Sequence, residues 1–215
     1  MPVFPVKTPK LIQCLFPKYL WKKAFVSKTI YLTFDNGPTP EITQWTLDQL
    51  KLYNAKATFF CIGDNIKKYP DIFKSVLDEG HSVGNHTYNH LKGWETNTEK
   101  YIKNTGESQN LIELKSQNLK GENQKLFRPP FGKIKRSQAK QLLKQGYKIV
   151  MWSVLSYDWE QQISKEKCLQ NVIKTTTSGS IVVFHDSIKA SRNMQYALPK
   201  VLDYFSKKGY TFKAL

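Results

Sequence analysis

Short β-rich runs alternate with helix-patterned segments along most of this chain, and that alternation is the strongest constraint on its fold. Thr29–Phe34, Ala57–Ile62, His81–Asn85, Tyr147–Trp152, Ser180–His185 and Tyr210–Lys213 read as strands, and Leu126–Arg128 enters a proline turn. Pro40–Tyr53, Asp71–Glu79, residues 95–119, Ser137–Gln145, Ser164–Thr175 and Tyr196–Lys208 read as helices between them. Thr39 is the expected cap of the first helix, with Pro40 at its first position, and Gly80 closes the second. Such alternation predicts a parallel sheet covered by helices. At 215 residues the chain fits one α/β domain with a full core, and no repeat or interior Gly/Ser linker divides it.

The chemistry-bearing positions gather at the ends of those strands. Asp35, His86, Arg128, Asp158 and His185 each follow one, and in a βα barrel such ends converge on a single mouth. His86 and His90 lie four apart, a spacing that on a helical turn lets two imidazoles share one metal ion. The same spacing also serves a helix cap. Asp35 suits a general base, and Asn36 could reach a metal through its amide oxygen, although Asp-Asn-Gly-Pro is also ordinary turn chemistry.

Arg128 heads the stiff run Arg128-Pro129-Pro130-Phe131-Gly132. It could hold Asp35 in a bidentate pair, and the Phe131 N–H could face an oxyanion; a structural turn uses the same residues. Asp158 and Trp159 suit an orienting acid and the wall of a sugar pocket, or an exposed acid beside a core tryptophan. His185, with an ordinary pKa of about 6.5, suits a general acid or a satisfied core histidine. The remaining histidine, His81, stands outside this constellation.

Charge and cysteine content narrow the partners. The net charge is +16, and it is uneven: Lys7, Lys10, Lys18, Lys22, Lys23 and Lys28 precede the first acid, Asp35. A second basic stretch runs from Lys125 to Lys148. Such fields attract anionic glycans or lipid head groups, or simply form a solvated surface. No nucleic-acid motif accompanies them, so nucleic acid is not an expected partner. Cys14, Cys61 and Cys168 are odd in number and far apart, which indicates neither a disulfide framework nor a thiolate zinc site. Residues 1–28 mix lysines with Leu11, Leu15, Phe16 and Trp21, and are expected to pack on the domain as an extension, with contact to a membrane surface as the alternative. No run approaches the roughly 20 apolar residues of a membrane span. The first residues lack the pattern of a signal peptide. The expected location is therefore cytoplasmic, with a peripheral place at the inner membrane face.

Taken together these residues resemble the polysaccharide deacetylase family, also called NodB-homology or carbohydrate esterase family 4. The resemblance covers residues 29–215. It rests on Thr33-Phe34-Asp35-Asn36-Gly37, His86-Thr87-Tyr88-Asn89-His90, Arg128-Pro129-Pro130-Phe131, Asp158-Trp159 and Val183-Phe184-His185, in that order. It implies a distorted (β/α)7 barrel that removes acetyl groups from N-acetylated amino sugars, free in polysaccharide or linked to lipid or phosphate. It implies a divalent metal, zinc first and cobalt or nickel as alternatives. Asp35 inherits the role of base and His185 that of acid, with Arg128 and Asp158 orienting them. Asn36, His86 and His90 take the metal positions. Pro129, Phe131, Trp159 and Phe184 are the expected substrate contacts. The sequence departs from the family twice: Asn36 stands where a metal-binding Asp is usual, and Leu155 where the fourth motif has its first acid. A neutral amide binds a cation less tightly than a carboxylate, which opens an alternative: a carbohydrate-binding descendant with impaired turnover.

Overall fold

Every residue of the first predicted strand is buried, and the sheet grows from it on both sides. In a computed structural model, residues 5–23, 27–116 and 124–215 are described. The elements in chain order are α1 (Lys10–Leu15), β1 (Thr29–Asp35), α2 (Ile42–Leu52), β2 (Thr58–Cys61), α3 (Gly63–Lys68), α4 (Pro70–Asp78), β3 (Ser82–Asn85) and α5 (Thr98–Ser116). There follow β4 (Leu126–Phe127), α6 (Arg136–Lys144), β5 (Lys148–Ile149), β6 (Val154–Leu155), α7 (Lys165–Thr175), β7 (Ile181–His185), α8 (Ile188–Lys207) and β8 (Thr211–Phe212). The strand order is β5-β4-β3-β2-β1-β7-β6, all parallel, with β8 added beside the start of β1. The seven strands curl into a half-barrel with helices outside: a distorted (β/α)7 barrel and a single domain.

Strand alternation divides the core and aims the site. Ile30, Leu32 and Phe34 of β1, with Val182 and Phe184 of β7, pack outward against α2, α4 and α8. Tyr31, Ile181 and Val183 point the other way, into a second cluster with Phe60, Met151 and Trp152. Asp35, four residues beyond Tyr31, and His185, two beyond Val183, continue the inner series and are register partners across β1 and β7. Phe34 stacks between Phe59 at 5.0 Å and Phe184 at 6.1 Å between ring centroids.

The seam between β5 and β6 is crossed by the N-terminal segment. The Leu20 N–H donates to Ile149 O and the Met151 N–H to Leu20 O, each at 2.8 Å. On the other side the Thr8 N–H donates to Ser153 O at 3.0 Å and the Leu155 N–H to Val6 O at 2.8 Å. Trp21 is buried in the inner cluster, whereas Leu11 and Leu15 of α1 are 72% and 66% exposed. Residues 1–4 and 24–26 of this segment lie outside the described residues. Among the described residues no helix is long and apolar enough to cross a membrane.

Several elements differ from their sequence reading. α2 starts at Ile42, because Glu41 takes a left-handed φ of 63°; Thr39 engages the helix through its main-chain oxygen, which accepts from the Thr43 N–H at 3.0 Å. The short α3 went unread, hidden by its polar Gly-Asp-Asn start. The helix expected over 95–119 begins at Thr98, and its residues 117–119 lie outside the described residues. α8 starts eight residues earlier than Tyr196 and continues through Pro199. The single strand expected over Tyr147–Trp152 is β5, after which Val150 turns to pair with Leu20 and the chain re-enters the sheet as β6.

Replacing Phe34 by alanine leaves a void between two stacked rings. It is expected to lower unfolding free energy by about 3–5 kcal/mol in equilibrium denaturation.

Candidate active site

The inner face of β1 ends in a carboxylate held by a buried guanidinium. Arg128, which follows β4, is fully buried, and its Nη1 donates to Asp35 Oδ1 and to Thr33 Oγ1, both at 2.7 Å. Nε donates to Val150 O at 3.2 Å and Nη2 to Met151 O at 2.9 Å. The ring centroid of Phe60 lies 4.1 Å from the guanidinium carbon. The expected bidentate pair is therefore a single contact, because the remaining donors are spent on Thr33 and two carbonyls. The guanidinium engages Oδ1, so Oδ2 is the oxygen turned to other work.

The turn after Asp35 is braced from beneath. The Gly37 N–H donates to Asp186 Oδ1 at 3.0 Å, and the Thr43 hydroxyl to Asp186 Oδ2 at 2.6 Å. A Cβ at position 37 would sit 2.0 Å from Asp186 Oδ2, so only glycine fits. Burial pushes the Asp186 carboxyl up to about 7, against those hydrogen bonds. Asn36 adopts a φ of 83°, and its main-chain oxygen accepts from Asn65 Nδ2 at 2.7 Å. Its side-chain oxygen is buried and has no hydrogen-bond partner among the described residues.

The two close histidines meet by loop geometry, not on a helical turn. Thr87 and His90 take left-handed φ values of 63° and 54°. Asn85 Oδ1 accepts from the Thr87 N–H, and Asn104 Oδ1, from α5, accepts from the Tyr88 and Asn89 N–H groups. The ring centroids of His86 and His90 are 5.0 Å apart. His86 Nδ1 lies 2.7 Å from Arg128 O, so it carries the proton and leaves Nε2 as the open nitrogen. Burial holds His86 and His90 down to about 3, His90 also through its neighbour His86, so both are neutral imidazoles.

The other side of the site is a hydrogen-bonded Asp–His pair. Asp158 is buried, and both its oxygens serve His185: Oδ2 accepts from the His185 N–H at 2.6 Å, and Oδ1 lies 2.8 Å from Nδ1. Burial alone would depress the His185 pKa, but the charge and hydrogen bond of Asp158 outweigh it and raise the value. The edge of Trp159 packs on the imidazole at 4.8 Å.

These groups share one cavity of about 490 Å³. Asp35, Asn36, His86, His90, Pro129, Phe131, Trp159 and His185 all line it. Arg128 and Asp158 stand behind the wall, each on one lining residue. Phe184, expected as a substrate contact, is a core residue stacked on Phe34, since it points away from the face that carries His185. Tyr157, Trp152, Lys133, Lys189 and Glu160 also line the wall and were not singled out by sequence. Their only signal was proximity to the motif residues.

Among the described residues no three His, Cys, Asp or Glu side chains group as a metal site. Two neutral imidazoles and an orphaned buried amide oxygen nonetheless make a donor set that a divalent cation fits. An Arg-held carboxylate on one flank, an Asp-held histidine on the other and neutral donors between them suit hydrolysis with one proton acceptor and one proton donor.

Comparison with known proteins agrees. Residues 22–150 match the family model described as polysaccharide deacetylase. The chain is 36% identical to the peptidoglycan-N-acetylmuramic acid deacetylase PdaA of Bacillus subtilis, over 87% of this chain and 70% of that protein. A solved peptidoglycan N-acetylglucosamine deacetylase, crystallised with an N-hydroxybenzamide, superposes with a TM-score of 0.86 at 32% identity, covering 97% of this chain and 95% of that one. A solved CE4 family pseudoenzyme superposes with a TM-score of 0.79 at 25% identity, covering 92% and 69%.

Titration of His185 by NMR is expected to give a pKa above 6.5. In Asp158→Asn the raising charge is gone and burial remains, so the value is expected to fall below 6.5; an unchanged value would show that the pair does not set it.

Proposed function

We propose a substrate and a mechanism from one premise: this chain belongs to the polysaccharide deacetylase family and is a carbohydrate deacetylase. The proposed substrate is an N-acetylated amino sugar of peptidoglycan. The observation that carries the reading is the pairing of two oppositely equipped groups across β1 and β7. A carboxylate with a free oxygen faces a histidine whose pKa Asp158 raises, in one cavity.

In the proposed reaction Asp35 Oδ2 takes a proton from water as its oxygen attacks the acetyl carbonyl carbon. The backbone N–H of Phe131 faces the oxygen that gains charge. His185, held by Asp158, then gives a proton to the amine nitrogen as the C–N bond breaks, releasing acetate and a free amino sugar. Arg128 keeps Asp35 in place, and its carbonyl keeps His86 in one tautomer. A divalent cation held by His86, His90 and Asn36 Oδ1, zinc by preference, would polarise the acetyl carbonyl and acidify the attacking water. Lys133 and Lys189 in the wall suit a sugar bearing a carboxylate, as N-acetylmuramic acid does.

A second reading, glycan binding without turnover, draws on Asn36 and on the likeness to a pseudoenzyme. The two part in one assay. Acetate release from peptidoglycan fragments is expected from the zinc-loaded protein and is expected to vanish on chelation. It should fall by about 10²–10⁴ in Asp35→Asn, the usual contribution of a general base. No release from any fragment, with intact glycan binding, would favour the second reading.

Asn36→Asp adds a charged donor and is expected to tighten zinc binding in calorimetry. Equal affinity in the two proteins would remove Asn36 from the donor set.

A further inference from the structure

Trp94 lies outside the cavity and is 60% exposed, an unusual place for an indole that is held rigidly. Its Nε1–H donates to Ile134 O at 3.2 Å, and Lys133 Nζ sits 5.1 Å from the ring. The turn that carries it is fastened on both flanks. Gln138 Nε2 donates to Gly93 O at 2.9 Å and to Thr96 O at 3.1 Å, and Lys135 Nζ donates to Thr96 O at 2.8 Å. Gly93 is pressed so close that a Cβ there would meet Lys133 O at 2.4 Å.

The same segment forms the cavity wall. Phe131, Gly132 and Lys133 line the cavity, Phe131 packs at a tilt against His90 with 4.7 Å between ring centroids, and Lys133 reaches Trp94. A continuous path therefore leads from the catalytic imidazoles to the indole. The indole, solvent-facing and with its N–H already satisfied, keeps flat apolar surface open alongside the Lys133 ammonium that lies over its ring. The C–H face of a pyranose ring is the complement of such a face, and the ammonium beside it suits the hydroxyls or carboxylate at the sugar's rim.

We propose that Trp94 is a sugar-binding platform for a pyranose of the glycan strand beyond the residue being deacetylated, so that the protein prefers polymer to short fragments. The proposal rests on the deacetylase reading for its substrate, but its geometry belongs to this loop alone.

The test compares a disaccharide with a hexasaccharide of β-1,4-linked N-acetylglucosamine, in the intact protein and in Trp94→Ala and Trp94→Tyr. The preference in kcat/KM for hexasaccharide over disaccharide is expected to fall about 10-fold in Trp94→Ala, or roughly 1.4 kcal/mol. Trp94→Tyr, which keeps an aromatic face, is expected to restore most of it. Independently of turnover, the indole N–H resonance of Trp94 in Asp35→Asn is expected to shift on adding hexasaccharide and not on adding disaccharide. An unmoved resonance together with an unchanged preference overturns the proposal. A shift with a single-stranded oligonucleotide but not with glycan overturns it as well. A shift with hexasaccharide, where the zinc-loaded protein with Asp35 intact releases no acetate, supports the platform while sinking the deacetylase reading.

Discussion

Burying a guanidinium is expensive unless every donor finds a partner, and Arg128 meets that condition by drawing the site together. Its side chain binds β1 through Thr33 and Asp35 and the chain beyond β5 through Val150 and Met151. Its carbonyl takes the Nδ1 proton of His86. One residue thus fixes the position of the carboxylate and the tautomer of an imidazole. The desolvation cost of the cation is offset only when the strands around it are in register, so the geometry of the base is tied to the integrity of the barrel.

Four histidines of one chain show how environment divides a residue type. His185 has its pKa raised against burial by the neighbouring Asp158. His86 and His90 are stripped of charge by burial and remain lone-pair donors. His81 is also pushed down by burial, to about 4, yet spends its Nδ1 accepting from the Ala57 N–H and packs its ring on Phe59. It is structural, and its separation from the motif residues agrees with its position beneath the sheet rather than at its mouth.

Much of this was legible because the relevant signals are local. Apolar β-rich runs mark strands whatever surrounds them, and polar residues directly after such runs fall at the mouth by the geometry of parallel sheets. What the sequence hid depends on distant partners. The approach of His86 and His90 rests on left-handed residues stabilised by Asn104, fourteen positions after His90. The outward turn of Phe184 follows from the parity that points His185 inward, a relation readable only once the catalytic face is known. The pairing of Leu20 and Val6 with the chain near β5 and β6 leaves no periodic trace, since single bridges have no pattern.

The seam crossing also sets a timetable. Thr8 bonds to Trp152, 144 positions later, so the segment that closes the barrel is the earliest part of the fold to be synthesised and waits for nearly the last strands. At about 5–20 residues per second, that wait is roughly seven to thirty seconds, with Leu20 and Trp21 lacking their partners and a long-range closure still ahead. Lysines at positions 7, 10, 18, 22 and 23 punctuate those apolar residues. They discourage self-association of a strand-forming segment whose partners have not yet been made.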